Sequence, residues 1–377
     1  MFAAATEYEV IDAVRAARAD KMPLEIAAGR TRRSVGRPLN LPLLDVAGLS
    51  GIVKYEPEEL IISALPATPL AEIAAVLAGR GQRLGFDPAD WSQLLGMTGV
   101  ATLGGATACD ASGAGKVRHG GARDSLLGFR AVNGLGEAFR AGAAVVKNVT
   151  GFDLPKLMCG AYGTLAVLTE LTYRVYPKPS HHMTLCLADV TPQAGFAALR
   201  KIARSALEPA GLAYLPASMT GGWGQGAALI KLEGAHAPLE EKIALAHGLL
   251  GGEIIRVAED PFAAIGDGSK FAAIPGDVWR LFIAPSDAPR LIKALNPVHW
   301  LGDWAGAVVW LAARPEEAGA IRAATAKLGG QAMLLRASPE SRAMHGLFAD
   351  QPPALAALNR AVKAAFDPLS LFNPGRL

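Results

Sequence analysis

Apolar and polar positions repeat with two different periods along the chain, and the changes of period mark out most of its elements. Thr6 and Glu9 have the spacing of a capping box, and Ile11 and Val14 begin the apolar face of a helix behind it. The run PLEIAAG, 23–29, reads as a strand entering a glycine-punctuated loop that ends near Pro38. Short β-type runs follow at 51–55 and 60–64. Thr68 and Pro69 fit an N-cap and first helical position for a helix reaching Gly79. A β-rich stretch, 164–176, closes the first half at Pro177.

The second half has another rhythm. A strand at 183–188 precedes a helix that Thr191 and Pro192 start and that runs to about Leu207. Strands at 211–216 and 227–232, a helix from Pro238 to about Leu250 and a strand at 253–257 complete βαββαβ, the split ferredoxin-like unit. The same order recurs over 279–283, a helix from about Asp287, strands near 299–301 and 307–311, a helix over 315–327 and a strand at 331–335. The fold class expected is α+β. A domain over 1–178 is followed by a ferredoxin-like α+β domain, with its pattern duplicated, over 179–350. A last helix near 353–366 and the tail DPLSLFNPGRL make up 351–377 and return to the first domain.

Between the two halves of the first domain the texture changes. Seven of the 23 residues from 99 to 121 are glycine (99, 104, 105, 113, 115, 120 and 121), against two or three expected from 42 glycines in 377 residues. Each glycine costs about 0.5–1 kcal/mol in a helix or strand interior, so this stretch is expected to be irregular backbone folded closely round something.

Composition narrows the classes. The chain is 51% hydrophobic and 19% charged, enough for a large core and too apolar for disorder. A net charge of +3 without basic blocks carrying interleaved aromatics makes nucleic acid an unexpected partner. Glu7 and Glu9 fall where a signal peptide would be basic and then apolar, and no run of about 18 apolar residues occurs, so a cytoplasmic protein without a transmembrane segment is expected. Cys109, Cys159 and Cys186 form no CxxC, and three thiols cannot alone ligate a four-cysteine iron–sulfur cluster.

Two segments carry chemistry. In IAAGRTRRSVG, 26–36, small residues let backbone N–H groups converge on a diphosphate, with Arg30, Arg32 and Arg33 adding charge and Thr31 a hydroxyl. A solvated basic turn reads equally from these residues. In ATLGGATACDASGAGKVRHGGARDSLLG, 101–128, the LGG turn, the small-residue run and the ASG turn offer donors along an extended ligand, and Arg118 and Arg123 can meet anions. No strand–GxGxxG–helix unit is present, so this is not a Rossmann fingerprint.

With VVKNVTGFDLPKLMCGAYGTLAVLTELTYRVYP, 145–177, these segments resemble the FAD-binding domain of the vanillyl-alcohol-oxidase and p-cresol-methylhydroxylase family. AAGRT matches the family's pyrophosphate loop, TLGG…DASG…RHG…RD its second motif and GFDL…GAYGTLAVLT its third, over roughly residues 5–180. A closer resemblance is to the flavin-binding subunits of bacterial glycolate-oxidising complexes. It rests on VVKNVTGFDL, on Tyr162 in place of a glutamate, on DWAG at 303–306 with Trp310, and on the terminal FNPGR.

The resemblance implies a two-part FAD-binding domain of mixed sheets and helices, a ferredoxin-like cap domain and non-covalent FAD. The cofactor-binding residues it implies are Ala28, Gly29, Arg30, Thr31 and Arg32; Thr102, Gly104, Gly105, Ser112, Gly113, Arg118, His119 and Gly120; Gly163 and Val167; and Asn373. Neither Cys109 nor Cys159 matches a covalent attachment position, and the pyrophosphate loop has no histidine. Two departures bear on affinity: Ala27 and Ala28 replace Arg and Gly in that loop, and Asp110 stands where Asn is common. A third bears on catalysis, because the family's histidine-rich GDGNxH segment is missing. His181 and His182, being adjacent, would face opposite sides of a strand, so no metal set and no catalytic residue is assigned. The implied partners are a related FAD-containing catalytic subunit and an iron–sulfur subunit, with a small 2-hydroxy acid oxidised by the complex. Any membrane association, at the inner face, would come through those partners.

Overall fold

The computed structural model describes residues 2–142, 152–220, 222–251 and 253–377. Its contacts divide the chain into two units. The first comprises 1–112, 120–178 and 350–377, and the second 113–119 and 179–349.

In the first unit, Thr6 caps the helix Glu7–Ala19 as a complete capping box with Glu9, and Val10, Ala13, Val14 and Ala17 form its buried stripe. That stripe packs with Leu24, Leu44, Val132, Val167 and Phe372. A small parallel sheet runs in the order Phe2–Ala3, Leu43–Asp45, Glu25–Ala27. A five-stranded antiparallel sheet runs Ile52–Glu56, Ile61–Ala64, Val167–Arg174, Leu126–Val132, Ala138–Gly142. A second core lies on it around Ile62, Ile73, Phe86, Phe129 and Tyr173.

Two expectations need correction here. Thr68 is not an N-cap. The helix Leu70–Ala78 begins without a side-chain cap, and the Thr68 hydroxyl instead accepts from Gly51 N at 2.9 Å and lies 2.7 Å from the Leu65 carbonyl, tying two strand connections together. The glycine-dense stretch is not wholly irregular either. Leu103–Ala108 is a helix capped by the Thr102 hydroxyl, and a Cβ on Gly104 would press into Pro66. The glycine is there for close approach, and its propensity cost is met by that packing.

The second unit holds one eight-stranded antiparallel sheet. Its order is Ile254–Val257, His181–Leu187, Gly226–Gly234, Gly211–Pro216, His299–Asp303, Val308–Ala313, Asp277–Phe282, Gln331–Arg336. Each half carries βαββαβ, and the halves meet edge to edge where Tyr214 pairs with Gly302. Phe196, Leu199, Leu291 and Ile321 from the helices fill the core beside Trp279, Trp300 and Tyr214. The short piece Gly113–His119 belongs to this unit. The Trp304 indole N–H donates to the Gly113 carbonyl at 3.1 Å, and Lys116 Nζ stands 4.6 Å from the centre of the Trp304 ring. Its neck is closed in the first unit, where Ser112 Oγ accepts from Ala122 N and Asp110 accepts from Arg123 N.

Asp303 is fully buried at the end of its strand, with Oδ1 accepting from Trp304 N at 2.8 Å. Burial pushes its carboxyl up to about 6, against the pull of that N–H and of Arg280. The folded state therefore holds the proton more tightly than the unfolded chain. The contribution is present below about pH 4 and is lost as pH rises through about 6. Asp303→Asn should remove a penalty on the order of 3 kcal/mol at pH 8 and almost none at pH 4. Thermal melts of both proteins at the two pH values check this, and an equal shift at both would contradict it.

Candidate functional site

The loop after the strand Glu25–Ala27 is where the first unit opens a cleft. Its walls include Ala28, Gly29, Arg30, Thr31 and Arg32 from this loop, and Thr102, Gly104, Gly105 and Cys109 from the capped helix opposite. Tyr162, Gly163, Ala166 and Val167, with Asn373 and Arg376, complete it. Three segments far apart in sequence are thus brought round one cavity.

The loop's three arginines have different fates. Arg30 adopts a left-handed φ of 62° and pairs with Asp45 at 2.5 Å. Arg33 grips the buried Glu25 with both its Nε, at 2.9 Å, and its Nη2. Arg376 holds the same carboxylate at 2.8 Å. Burial alone would raise the Glu25 carboxyl, but Arg33 and Arg376 hold it below the ordinary range. Its contribution is therefore present above the usual carboxylate range and lost as pH falls through the lowered value. Glu25→Gln should cost about 3 kcal/mol at neutral pH, because the buried Arg376 loses its charged partner, while Arg33 stays solvated. Denaturant unfolding at pH 7 and at pH 3 checks it, with the gap closing at the acid end.

All three line the cavity, but Arg32 is the one of them with donors left unmet among the described residues. It is 8% exposed, lies 5.3 Å from the centre of the Trp91 ring and donates one Nη2 bond to the Ala89 carbonyl. Its Nε and Nη1 have no acceptor among the described residues. Nη1 lies 3.2 Å from where a Cβ on Gly105 would stand. Burial depresses the guanidinium, with Cys109, Asp90 and Tyr162 opposing. The backbone N–H groups of Gly29, Arg30 and Thr31 likewise meet no acceptor among the described residues. A left-handed residue in mid-turn is how successive N–H groups are turned to one side, and together with Arg32 they make a donor set for an anion.

The facing wall differs from expectation. Leu103 N donates to Thr68 O at 3.0 Å, Gly104 N to Pro66 O at 2.7 Å and Gly105 N to the Thr102 hydroxyl at 3.2 Å, so the LGG turn does not present free donors. It supplies shape. The left-handed positions in the 26–36 loop are Arg30 and Gly36, so the methyl of Ala28 meets no conformational penalty. Asp110 is absent from the lining and its carboxylate accepts from Arg123 N, so its charge is directed elsewhere.

Not every candidate joins the cavity. Ser112 and Gly120 lie outside its lining, Gly120 against the Asp124 carboxylate. Gly113, Arg118 and His119 belong to the second unit, where Arg118 pairs with Glu208 at 3.1 Å. Residues 145–151 of the third motif lie outside the described residues. Sequence reasoning missed Cys109, Tyr162, Glu25 and Arg376. Arg376 had a signal as the basic residue closing FNPGR, and Tyr162 as the departure within GAYGT.

A family model described as an FAD binding domain matches residues 1–142. Glycolate oxidase subunit GlcE of Escherichia coli (strain K12) is 35% identical over 372 residues, 98% of this chain and 96% of that protein. An uncharacterized FAD-linked oxidoreductase of Mycobacterium tuberculosis (strain ATCC 25618 / H37Rv) is 25% identical over 421 residues, covering 98% and 89%. Among solved structures, p-cresol methylhydroxylase with substrate bound superposes with a TM-score of 0.68 at 16% identity, covering 99% of this chain and 87% of that one. An alkyldihydroxyacetonephosphate synthase gives 0.69 at 15%, covering 99% and 75%. The chain belongs to the FAD-linked oxidoreductase family of vanillyl-alcohol oxidase and p-cresol methylhydroxylase. Within that family it is a homologue of glycolate oxidase subunit GlcE.

Proposed function

We propose that this chain holds one FAD non-covalently in the first-unit cavity and serves as the flavin-binding E subunit of a multi-subunit glycolate oxidase. Glycolate would be oxidised to glyoxylate at the level of the complex. The observation that carries the reading is Arg32, a buried guanidinium in the cavity lining with two donor positions unmet among the described residues. An unpaired buried charge costs several kcal/mol, and a diphosphate is the kind of anion that would offset it.

The diphosphate would be held by the N–H groups of Gly29, Arg30 and Thr31 and by Arg32, with Thr102, Gly104 and Gly105 shaping the facing wall. Ala28, Gly163, Val167 and Asn373 line the more apolar remainder. Ser112, Gly113, Arg118, His119 and Gly120 lie outside the lining of this cavity. Bound FAD supplies a two-electron acceptor for hydride. Among the described residues that line the cavity, Cys109 carries the one thiol, and burial raises it despite Arg32 and Arg376. A thiol held protonated is a poor nucleophile, which favours non-covalent attachment.

Oxidation of a 2-hydroxy acid needs a base at the hydroxyl and a path for two electrons. The sequence lacks the family's histidine segment and has three cysteines. The base and the iron–sulfur relay are therefore assigned to partners: a related FAD-containing catalytic subunit and an iron–sulfur subunit. Among the described residues no helix is long and apolar enough to cross a membrane, so contact with the inner face of a membrane is assigned to those partners. Assay of the chain alone and of the assembly isolated from its source, with glycolate and a dye acceptor, tests the reading. Turnover should need the assembly. Robust turnover by the chain alone would replace this proposal with a self-sufficient FAD-dependent D-lactate or 2-hydroxy-acid dehydrogenase. A colourless chain within an active assembly would make it a structural subunit.

A further inference from the structure

The segment from Leu371 to Arg376 grips both ends of the loop that carries the proposed anion donors. At the near end, Leu24 N donates to Leu371 O at 2.7 Å and Asn373 N to Leu24 O at 2.9 Å, adding a short parallel bridge beside the strand Glu25–Ala27. Asn373 Oδ1 then accepts from Ile26 N at 3.0 Å, where the cavity wall begins. At the far end, Arg376 Nη1 donates to Val35 O at 3.4 Å and Arg37 N to Arg376 O at 3.0 Å.

The same asparagine reaches across the cavity. Its Nδ2 donates to Tyr162 O at 2.9 Å and Gly163 O at 3.2 Å. Tyr162 and Gly163 have left-handed φ of 52° and 66°, which turns both carbonyls to one point. A Cβ on Gly163 would stand 2.8 Å from Asn373 Nδ2, so the turn must be glycine there. That turn is fastened in its own right to the capped helix, through Tyr162 N to Ala108 O at 2.8 Å. Asn373 is 2% exposed, has a left-handed φ of 43°, and commits both amide hydrogens to protein carbonyls. Asparagine combines tolerance of that backbone with a donor and an acceptor on one short side chain.

We propose that Asn373 and Arg376 are positioning residues rather than direct cofactor ligands: they fix the 27–35 loop against the Tyr162–Gly163 turn and so preorganise the diphosphate cavity. The idea rests on the functional reading for its ligand, but not for its geometry. Because linkage is reciprocal, flavin in the cavity should in turn hold the 371–376 segment down.

The test compares wild type, Asn373→Gly and Asn373→Asp by amide hydrogen exchange without ligand and by FAD titration. Glycine keeps the left-handed backbone and removes the bridge. Aspartate keeps an acceptor for Ile26 N but sets a carboxylate against two carbonyls. Asn373→Gly should raise exchange at least tenfold over residues 26–35, leave the strands of the second unit unchanged, and weaken FAD at least tenfold. Asn373→Asp should keep Ile26 protected and still lose affinity. Arg376→Gln should loosen the far end near Val35 and release the Glu25 carboxylate, while leaving the Asn373 bridge to Tyr162 and Gly163 in place. Wild-type exchange over 26–35 in Asn373→Gly overturns the proposal. So does unchanged FAD affinity with a lowered melting point, the signature of a merely structural contact. If wild type itself takes up no FAD, the functional reading fails, and the exchange data still decide this one.

Discussion

Arg32→Met is expected to weaken FAD binding by about a hundredfold while leaving the ligand-free protein at least as stable as before. Each charge-assisted hydrogen bond from a guanidinium contributes about 1.5–3 kcal/mol, and two donor positions, Nε and Nη1, are unmet. A loss of roughly 3 kcal/mol is a hundredfold in the dissociation constant. The ligand-free protein gains at the same position, because methionine fills the space beside Trp91 without burying a charge. The one bond given up is that to the Ala89 carbonyl. Fluorescence titration and thermal melts of one preparation give both numbers. A lower melting point with unchanged affinity would mean that Arg32 is a structural contact and that the anion site lies elsewhere.

Gly29→Ala should act through backbone collision. A methyl at this position would overlap the Val100 carbonyl oxygen and stand 2.7 Å from Thr102 Cγ2. Val100 N donates to Gly29 O at 3.0 Å, so the two segments pass backbone against backbone with no flexible side chain to yield. Overpacking of this kind costs about 1–3 kcal/mol and here parts the two walls of the cavity. The expected result is a lower unfolding midpoint for the first unit and at least tenfold weaker FAD binding. Gly319→Ala is the control. It lies in the helix Ala318–Lys327 with open space around its Cβ, and should be neutral or stabilising by about 1 kcal/mol.

Much of the architecture was legible in the chain because local periodicity and caps determined it. The Thr6–Glu9 capping box and the Thr191 cap are local signals that tertiary packing had no reason to override. The βαββαβ order could be read twice, since each strand and helix carries its own apolar pattern. Thr68 misled because a threonine before proline satisfies the N-cap pattern equally well when its hydroxyl serves a distant glycine. The cavity was legible in part. AAGRT and TLGG marked two walls, but which arginine of 30, 32 and 33 is left with unmet donors depends on Asp45 and Glu25, and pairings with those residues have no local signature. The LGG turn looked like a donor array and proved to be a packing surface, because Pro66 and Thr68 had already taken its N–H groups. The excursion of 113–119 into the second unit depends on Trp304, nearly two hundred residues away, which no window of sequence can reveal.

The most direct test is uptake of FAD by the purified, flavin-stripped chain, followed at equilibrium with the bound flavin then released by acid. One FAD per chain, recovered intact in the supernatant and competed by ADP, is the result expected of a diphosphate cradle at Gly29–Arg32. A folded chain that leaves all added FAD free in solution would contradict it.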